Sequence, residues 1–129
     1  MASALGASSI APPRLTTLEE AVVARIDTTA SGLPLLLADA AAAFAETIVA
    51  QPWDGVCRIG LNDTQAIDTV RALAARYDAP CVIERCPSGD KHEIDVFGPP
   101  PPSFGLMRAI KQEFDPNGVL SPGRFVGRL

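Results

Sequence analysis

What this chain has little of narrows its reading first. It holds one histidine, one tryptophan and three cysteines, and aromatic residues make up 5%. No C-x-x-C pair occurs, and His92 stands apart from Cys57, Cys81 and Cys86, so no zinc-type donor set is expected and no metal is assigned. Cys81 and Cys86 bracket an expected strand, which holds its ends too far apart for a disulfide. Three free thiols, packed as small hydrophobes, fit a reducing cytoplasm. Basic residues are also scarce: eleven Lys and Arg against fifteen Asp and Glu give a formal charge of −4. A phosphate-binding surface needs clustered cations, so nucleic acid is not an expected partner. The longest apolar stretch, Leu33 to Phe44, is broken by Asp39 and is too short for a membrane span. The opening residues carry no basic n-region, and Ser8, Ser9, Pro12 and Pro13 dilute their apolar content, so no secretory signal is expected. No Gly-rich G-x-G-x-x-G or Walker pattern is present to grip a pyrophosphate. No Ser/His/Asp or Cys/His set occurs either, and no catalytic residue is assigned.

What is present is enough apolar content for a core. Hydrophobic residues make up 47% of 129 positions and charged residues 20%, which suits one folded domain. Residues 1–16 are small, Ser- and Pro-bearing and aperiodic, as in a linker. Ala21 to Thr28 alternates as a half-buried strand, with Val22, Ala24 and Ile26 on one face and Val23, Arg25 and Asp27 on the other. Ser31 offers an N-cap and Pro34 a first-turn residue for a helix over Leu33 to Phe44, apolar all round and expected to pack tightly on a sheet. Glu46 to Ala50 reads as a second strand, Gln51 to Gly55 as a turn, and Val56 to Leu61 as a third strand. Asn62 or Asp63 caps the next helix, with Gln65 placed for a capping box. Its apolar face is Ala66, Ile67, Val70, Leu73, Ala74 and Tyr77; Asp63, Asp68, Arg71 and Arg76 lie mostly opposite. Cys81 to Arg85 is a fourth strand.

The expected fold is therefore α+β: a ferredoxin-like β-α-β-β-α-β sandwich over residues 17–98, one antiparallel sheet with both helices on one face. Residues 99–129 add a Pro-rich spacer, a C-terminal helix and a tail. Cys86 to Lys91 is a polar loop, and Glu93 to Phe97 a short extended piece. Gly98 to Pro102 is a stiff spacer that cannot pair inside a sheet. Ser103 caps a helix carrying Phe104, Met107, Ile110, Lys111 and Phe114, and Pro116 stops it by Phe114. Asn117-Gly118 and Ser121-Pro122-Gly123 then turn the chain twice toward a terminal strand.

The run from Leu106 to Phe125, with its Phe114-Asp115-Pro116-Asn117-Gly118 and Ser121-Pro122-Gly123-Arg124 corners, resembles the C-terminal signature of FAD-linked oxidases of the vanillyl-alcohol oxidase type. Val82-Ile83-Glu84-Arg85 and Ile94 to Gly98 look like the bacterial glycolate oxidase flavin-subunit branch. The resemblance spans roughly residues 20–129. It departs at Ser121, where the family usually has Asn; both cap turns through a short side-chain oxygen. It implies a cap or substrate domain of an FAD-dependent 2-hydroxy-acid oxidoreductase. FAD would be held mainly by a flavin-binding domain or subunit that these residues do not supply, so the isolated chain would be inactive. Hydride would pass from the substrate α-carbon to the flavin. Pro122, Gly123 and Arg124 would approach the cofactor, unless the two corners merely redirect the tail.

Three further residues are candidates for the small 2-hydroxy acid. Arg58 and Arg85, on strands, present guanidinium forks that match a carboxylate, although strand arginines are commonly solvated or paired, here with Glu46 or Glu84. His92, in the polar loop, carries an imidazole that suits a base, or is simply exposed. Trp53 reads as a packing plug or a domain contact, and Glu19 and Glu20 as solvated. The competing readings are a stand-alone ferredoxin-like module that binds a small ligand or self-associates, and an interaction subunit completed by a separate flavin-binding chain. A homo-oligomer through exposed apolar surface fits a cap without its partner.

Overall fold

A computed structural model of the chain describes residues 21–44 and 48–129. The linker expected over residues 1–16, the acids Glu19 and Glu20, and the start of the second strand at Glu46 lie outside them. The elements run β1 (Val22–Asp27), α1 (Leu33–Ala43), β2 (Ile48–Gln51), β3 (Val56–Leu61), α2 (Ile67–Ala75), β4 (Cys81–Arg85) and α3 (Phe104–Phe114). Short 3-10 turns occupy Asp90–His92 and Val126–Arg128. The four strands form one antiparallel sheet in the order β2-β3-β1-β4. The molecule is thus α+β, with three helices among its described residues.

Alternation along the strands sorts the sheet into two faces. Register aligns Ile26 with Cys57 and Cys81, and Ala24 with Ile59 and Ile83. These side chains share the face covered by Leu33, Leu36 and Ala40 of α1 and Ile67, Val70, Leu73 and Ala74 of α2. Ile26, Leu36, Ile59, Leu61, Val22 and Val70 are fully buried. Each contributes roughly 1.5–3 kcal/mol by leaving water, so this layer is what holds the domain together. The helices are also tied at their polar rim. The Tyr77 hydroxyl donates to Asp39 at 2.6 Å, and Arg76 pairs with the same carboxylate at 2.8 Å. That hydrogen bond to Asp39 also raises the Tyr77 pKa.

Several local expectations change. Ser31 does not cap α1: Gly32 holds the N-cap position, and the Thr29 hydroxyl accepts the Gly32 N–H at 3.1 Å. The turn is closed two residues earlier than sequence suggests. Helix α1 packs on the sheet as expected, through Leu33, Leu36 and Ala40, while Leu35 and Ala41 to Ala43 face outward. At α2 the N-cap is Ala66 and no side chain caps it. Asp63 instead accepts the Gln65 and Ala66 N–H groups at 2.9 and 3.3 Å, so its turn precedes the helix and the capping box does not form. Tyr77 lies just beyond the helix end, and Arg71 folds inward to donate to the Asp95 carbonyl. Ser103 is the N-cap of α3 by position, without a hydroxyl cap bond.

The turn before β3 is constrained from outside itself. Gly55 has φ +66, and a Cβ there would lie 2.0 Å from the Thr28 carbonyl oxygen, while Thr28 N–H donates to Gly55 O at 2.9 Å. Only glycine fits where the turn presses on the end of β1. Trp53, beside it, is 87% exposed and so is no packing plug.

Beyond β4 the chain builds differently. Glu93 to Phe97 forms no strand; a 3-10 turn and one ladder bond, Ile83 N–H to Val96 O at 2.7 Å, hold it along the β4 edge. The tail forms no strand either. Gly127 (φ +60) sits so close to the Phe104 ring that a Cβ would approach it to 2.5 Å. Phe125 stacks obliquely on Phe97 at 5.9 Å, and Arg128 donates to the His92 carbonyl at 3.0 Å.

Candidate functional site

The sheet face away from α1 and α2 carries Arg58 on the central strand β3, paired in register with Arg25 of β1. Two guanidinium groups side by side repel unless acids intervene. Glu84 of β4 supplies the compensation: its carboxylate takes two Arg58 N–H groups at 2.8 and 3.2 Å and lies 3.7 Å from Arg25. Asp27 holds Arg25 at 2.8 Å, and its hydrogen bond is the main cause of a raised Arg25 pKa. Gln51 takes a third Arg58 donor at 2.9 Å. Arg58 is 7% exposed and its fork is already filled. The expected pairing with Glu84 is what forms. Arg85 ends β4 opposite Val23, past a register shift, on the exposed rim.

Three of the six expected site residues do come together. His92, Gly123 and Arg124 line a cleft of about 530 Å³ between the end of β4, the 86–97 loop and the tail. Arg58, Arg85 and Pro122 do not line it. Lys91 and Arg128 join the cationic side, Glu84 and Asp95 are its acids, and Ile94, Phe97 and Phe125 form apolar walls. Both acids are engaged: Glu84 with Arg58, and Asp95 with the Phe97 N–H at 3.1 Å. Lys91 and Arg124 have no side-chain partner among the described residues. The cleft is therefore positive although the chain is acidic.

Next to it, Asp115 builds the corner that aims the tail. It is 6% exposed, and its two oxygens accept the Val119 and Leu120 N–H groups at 2.9 Å each. Lys111, one turn back on α3, donates to the same carboxylate at 2.5 Å and to the Leu120 carbonyl at 2.6 Å. The Lys111 contact is the largest reason that the Asp115 pKa lies below the usual carboxylate value; partial burial opposes it and the two amides reinforce it. The second corner places Ser121 at φ +46, a left-handed conformation that Asn and Gly tolerate better than Ser.

These corners leave an apolar surface bare. No residue of α3 is buried. Leu106, Ile110, Phe114, Val119, Leu120 and Phe125 are each at least half exposed, with Phe114 at 79%. Met107, Ile110, Phe114, Leu120 and Phe125 flank a groove of about 360 Å³ that Arg124 also reaches. Of the thiols, Cys86 lines the cleft, while Cys57 and Cys81 lie in the core. Burial pushes Cys57 and Cys81 up to about 11, which suppresses the reactive thiolate near neutrality, and all three cysteines are free and buried. Among the described residues no group of three His, Cys, Asp or Glu side chains is placed to hold a metal.

Sequence reasoning missed Lys91, Arg128 and the bridging role of Asp115. The last had a signal, since Asp before Pro-Asn-Gly is a side-chain-capped turn in the making. The two cations had none, because the loop and the tail meet only in three dimensions. Searches with the chain match no family model, no curated protein and no solved structure.

Proposed function

We propose that this chain is the C-terminal cap domain of an FAD-dependent 2-hydroxy-acid oxidoreductase, similar to the vanillyl-alcohol oxidase type, with a ferredoxin-like core and a docking tail. The observation that carries the reading is the bare apolar band of α3 and the tail, set by two rigid corners. An isolated domain of this size seldom leaves so many large side chains in water unless a partner covers them. The strand order β4-β1-β3-β2, with a helix after β1 and after β3, is the arrangement expected of a split βαβ core.

FAD would be gripped by a separate flavin-binding domain or subunit. The described helices open at Gly32-Leu33-Pro34, Ala66-Ile67 and Ser103-Phe104, none of them a Gly-rich phosphate turn. The tail fits a lesser contact. Gly123 has φ +71 with open space around it, and Arg124 has no side-chain partner among the described residues, so this corner can meet an anionic edge of a bound flavin. Bound flavin would accept the hydride; this chain would supply placement and charge. Among the described residues no helix is long and apolar enough to cross a membrane.

Mixing the purified chain with a flavin-binding chain encoded beside it, then following dye reduction with glycolate or lactate, tests the reading. The chain alone should be colourless and inactive, the mixture active, and Phe114→Glu with Ile110→Glu should abolish that gain. Activity indifferent to both substitutions refutes docking through α3. The rival reading, a self-associating module, predicts instead a concentration-dependent dimer in sedimentation that the same two substitutions dissociate.

A further inference from the structure

We infer that the cleft between the 86–97 loop and the tail is a binding site for a small organic carboxylate with an apolar body, and that this chain fills it without any partner. The inference is independent of the flavin reading.

The argument is a census of charge. Four groups on the cleft wall are cationic or can become so: Lys91, His92, Arg124 and Arg128. Two are acidic, and each already has a partner within the protein. Glu84 is held bidentately by Arg58 and approached by Arg25. Asp95 accepts the Phe97 N–H through its side chain, and its carbonyl takes Arg71. Arg128 spends one nitrogen on the His92 carbonyl at 3.0 Å and keeps its other donors. Lys91 and Arg124 keep all of theirs among the described residues. Lys91, Arg124 and Arg128 still outnumber the one carboxylate without a cation on it, Asp95, and an oxyanion relieves the excess while gaining charge-assisted hydrogen bonds.

The remaining wall decides which oxyanion. Ile94, Phe97 and Phe125 line the same space. Inorganic phosphate would leave that wall wet. A carboxylate carried on a ring or short chain would cover it and still meet the cations, which is the usual pairing in small-molecule sites. The walls belong to different segments, and the Phe97–Phe125 contact, with Arg128 on the His92 carbonyl, fixes their relation before a ligand arrives. Such preorganisation lowers the cost of binding.

The test exploits the single histidine. In the full chain, produced without a histidine tag, the His92 ring protons report the cleft directly by proton NMR. Titration with benzoate, acetate and inorganic phosphate should give a saturable His92 shift with benzoate and a much weaker response to acetate and phosphate. Lys91→Gln and Arg124→Gln should each weaken benzoate by about tenfold. Arg76→Gln removes the same charge on α2, outside the cleft, and should leave binding unchanged. Because Lys91 and Arg124 are exposed and unpaired, matching thermal melts will show that their variants remain folded. No saturable shift with benzoate overturns the inference. So does equal weakening by Arg76→Gln, which would mean net charge alone, or tighter binding of phosphate than of benzoate, which would mean a bare oxyanion site.

Discussion

The sheet body and the C-terminal arm are built on opposite principles. Between Val22 and Arg85, side chains are sorted strictly: one face of the sheet and one stripe of each helix bury the apolar residues, and charges stay at rims or meet partners. Between Phe104 and Leu129, the only buried residue is an aspartate, and the large apolar groups point outward. The body is held by burial; the arm is held by hydrogen bonds to Asp115 and by a few ring contacts. A segment rich in Phe, Ile and Leu need not be a core segment. What matters is whether another surface lies within reach of it.

That contrast can be broken or sharpened by substitution. The largest effect should come from Ile59→Ala, which removes a fully buried side chain from the central strand. It should cost about 2–5 kcal/mol in urea denaturation, whereas Ile110→Ala on α3 should change stability by less than about 0.5 kcal/mol. Equal costs at the two sites would erase the distinction. Next, Gly55→Ala should destabilise by about 2–3 kcal/mol, because strain at positive φ adds to a collision with backbone. Gly118→Ala, at φ +64 in open space, should cost only about 1 kcal/mol.

Asp115 should give a smaller, local effect. Its folded pKa is depressed, so its contribution is fully present above the ordinary carboxylate value of about 3.9 and is lost as pH falls through the lower folded value. Protection of the Val119 and Leu120 amides relative to their intrinsic exchange rates should fall on acidification below about pH 4, and at neutral pH in Asp115→Asn, while β1 and β3 stay protected. Loss of protection in the body at the same pH would show that arm and sheet unfold together. Smallest of all, Ser121→Gly should stabilise the arm by about 0.5 kcal/mol, readable as slower exchange at Arg124.

How much of this was legible beforehand follows the same division. β3 and β4 were readable to the residue, and so was the inner face of α2, because alternation and helical periodicity record burial on a nearby surface. Helix α1 was readable to within a residue and packs on the sheet as expected, but an Ala- and Leu-rich run does not say which side is covered. The 93–97 segment looked extended, but its one ladder bond depends on β4 having an edge to offer. At the candidate site, His92, Gly123 and Arg124 could be singled out by residue type and setting, yet their meeting could not. Arg58 illustrates the converse. Its fork was recognisable, but Glu84 lies 26 positions away in sequence and reaches it only through β1 between the two strands. Tertiary pairing decides the use of a guanidinium, and residue type alone does not.

The place of β1 in the sheet bears on how the chain comes to fold. It is the first strand in the described sequence, and both of its hydrogen-bonded neighbours, β3 and β4, are made after it. On the ribosome both of these edges must therefore stay open until Val56 to Leu61 has left the exit tunnel. Distant pairing of this kind slows assembly and prolongs the exposure of Val22, Ala24 and Ile26 to other chains, so slower synthesis through residues 28–55 should favour aggregation over yield.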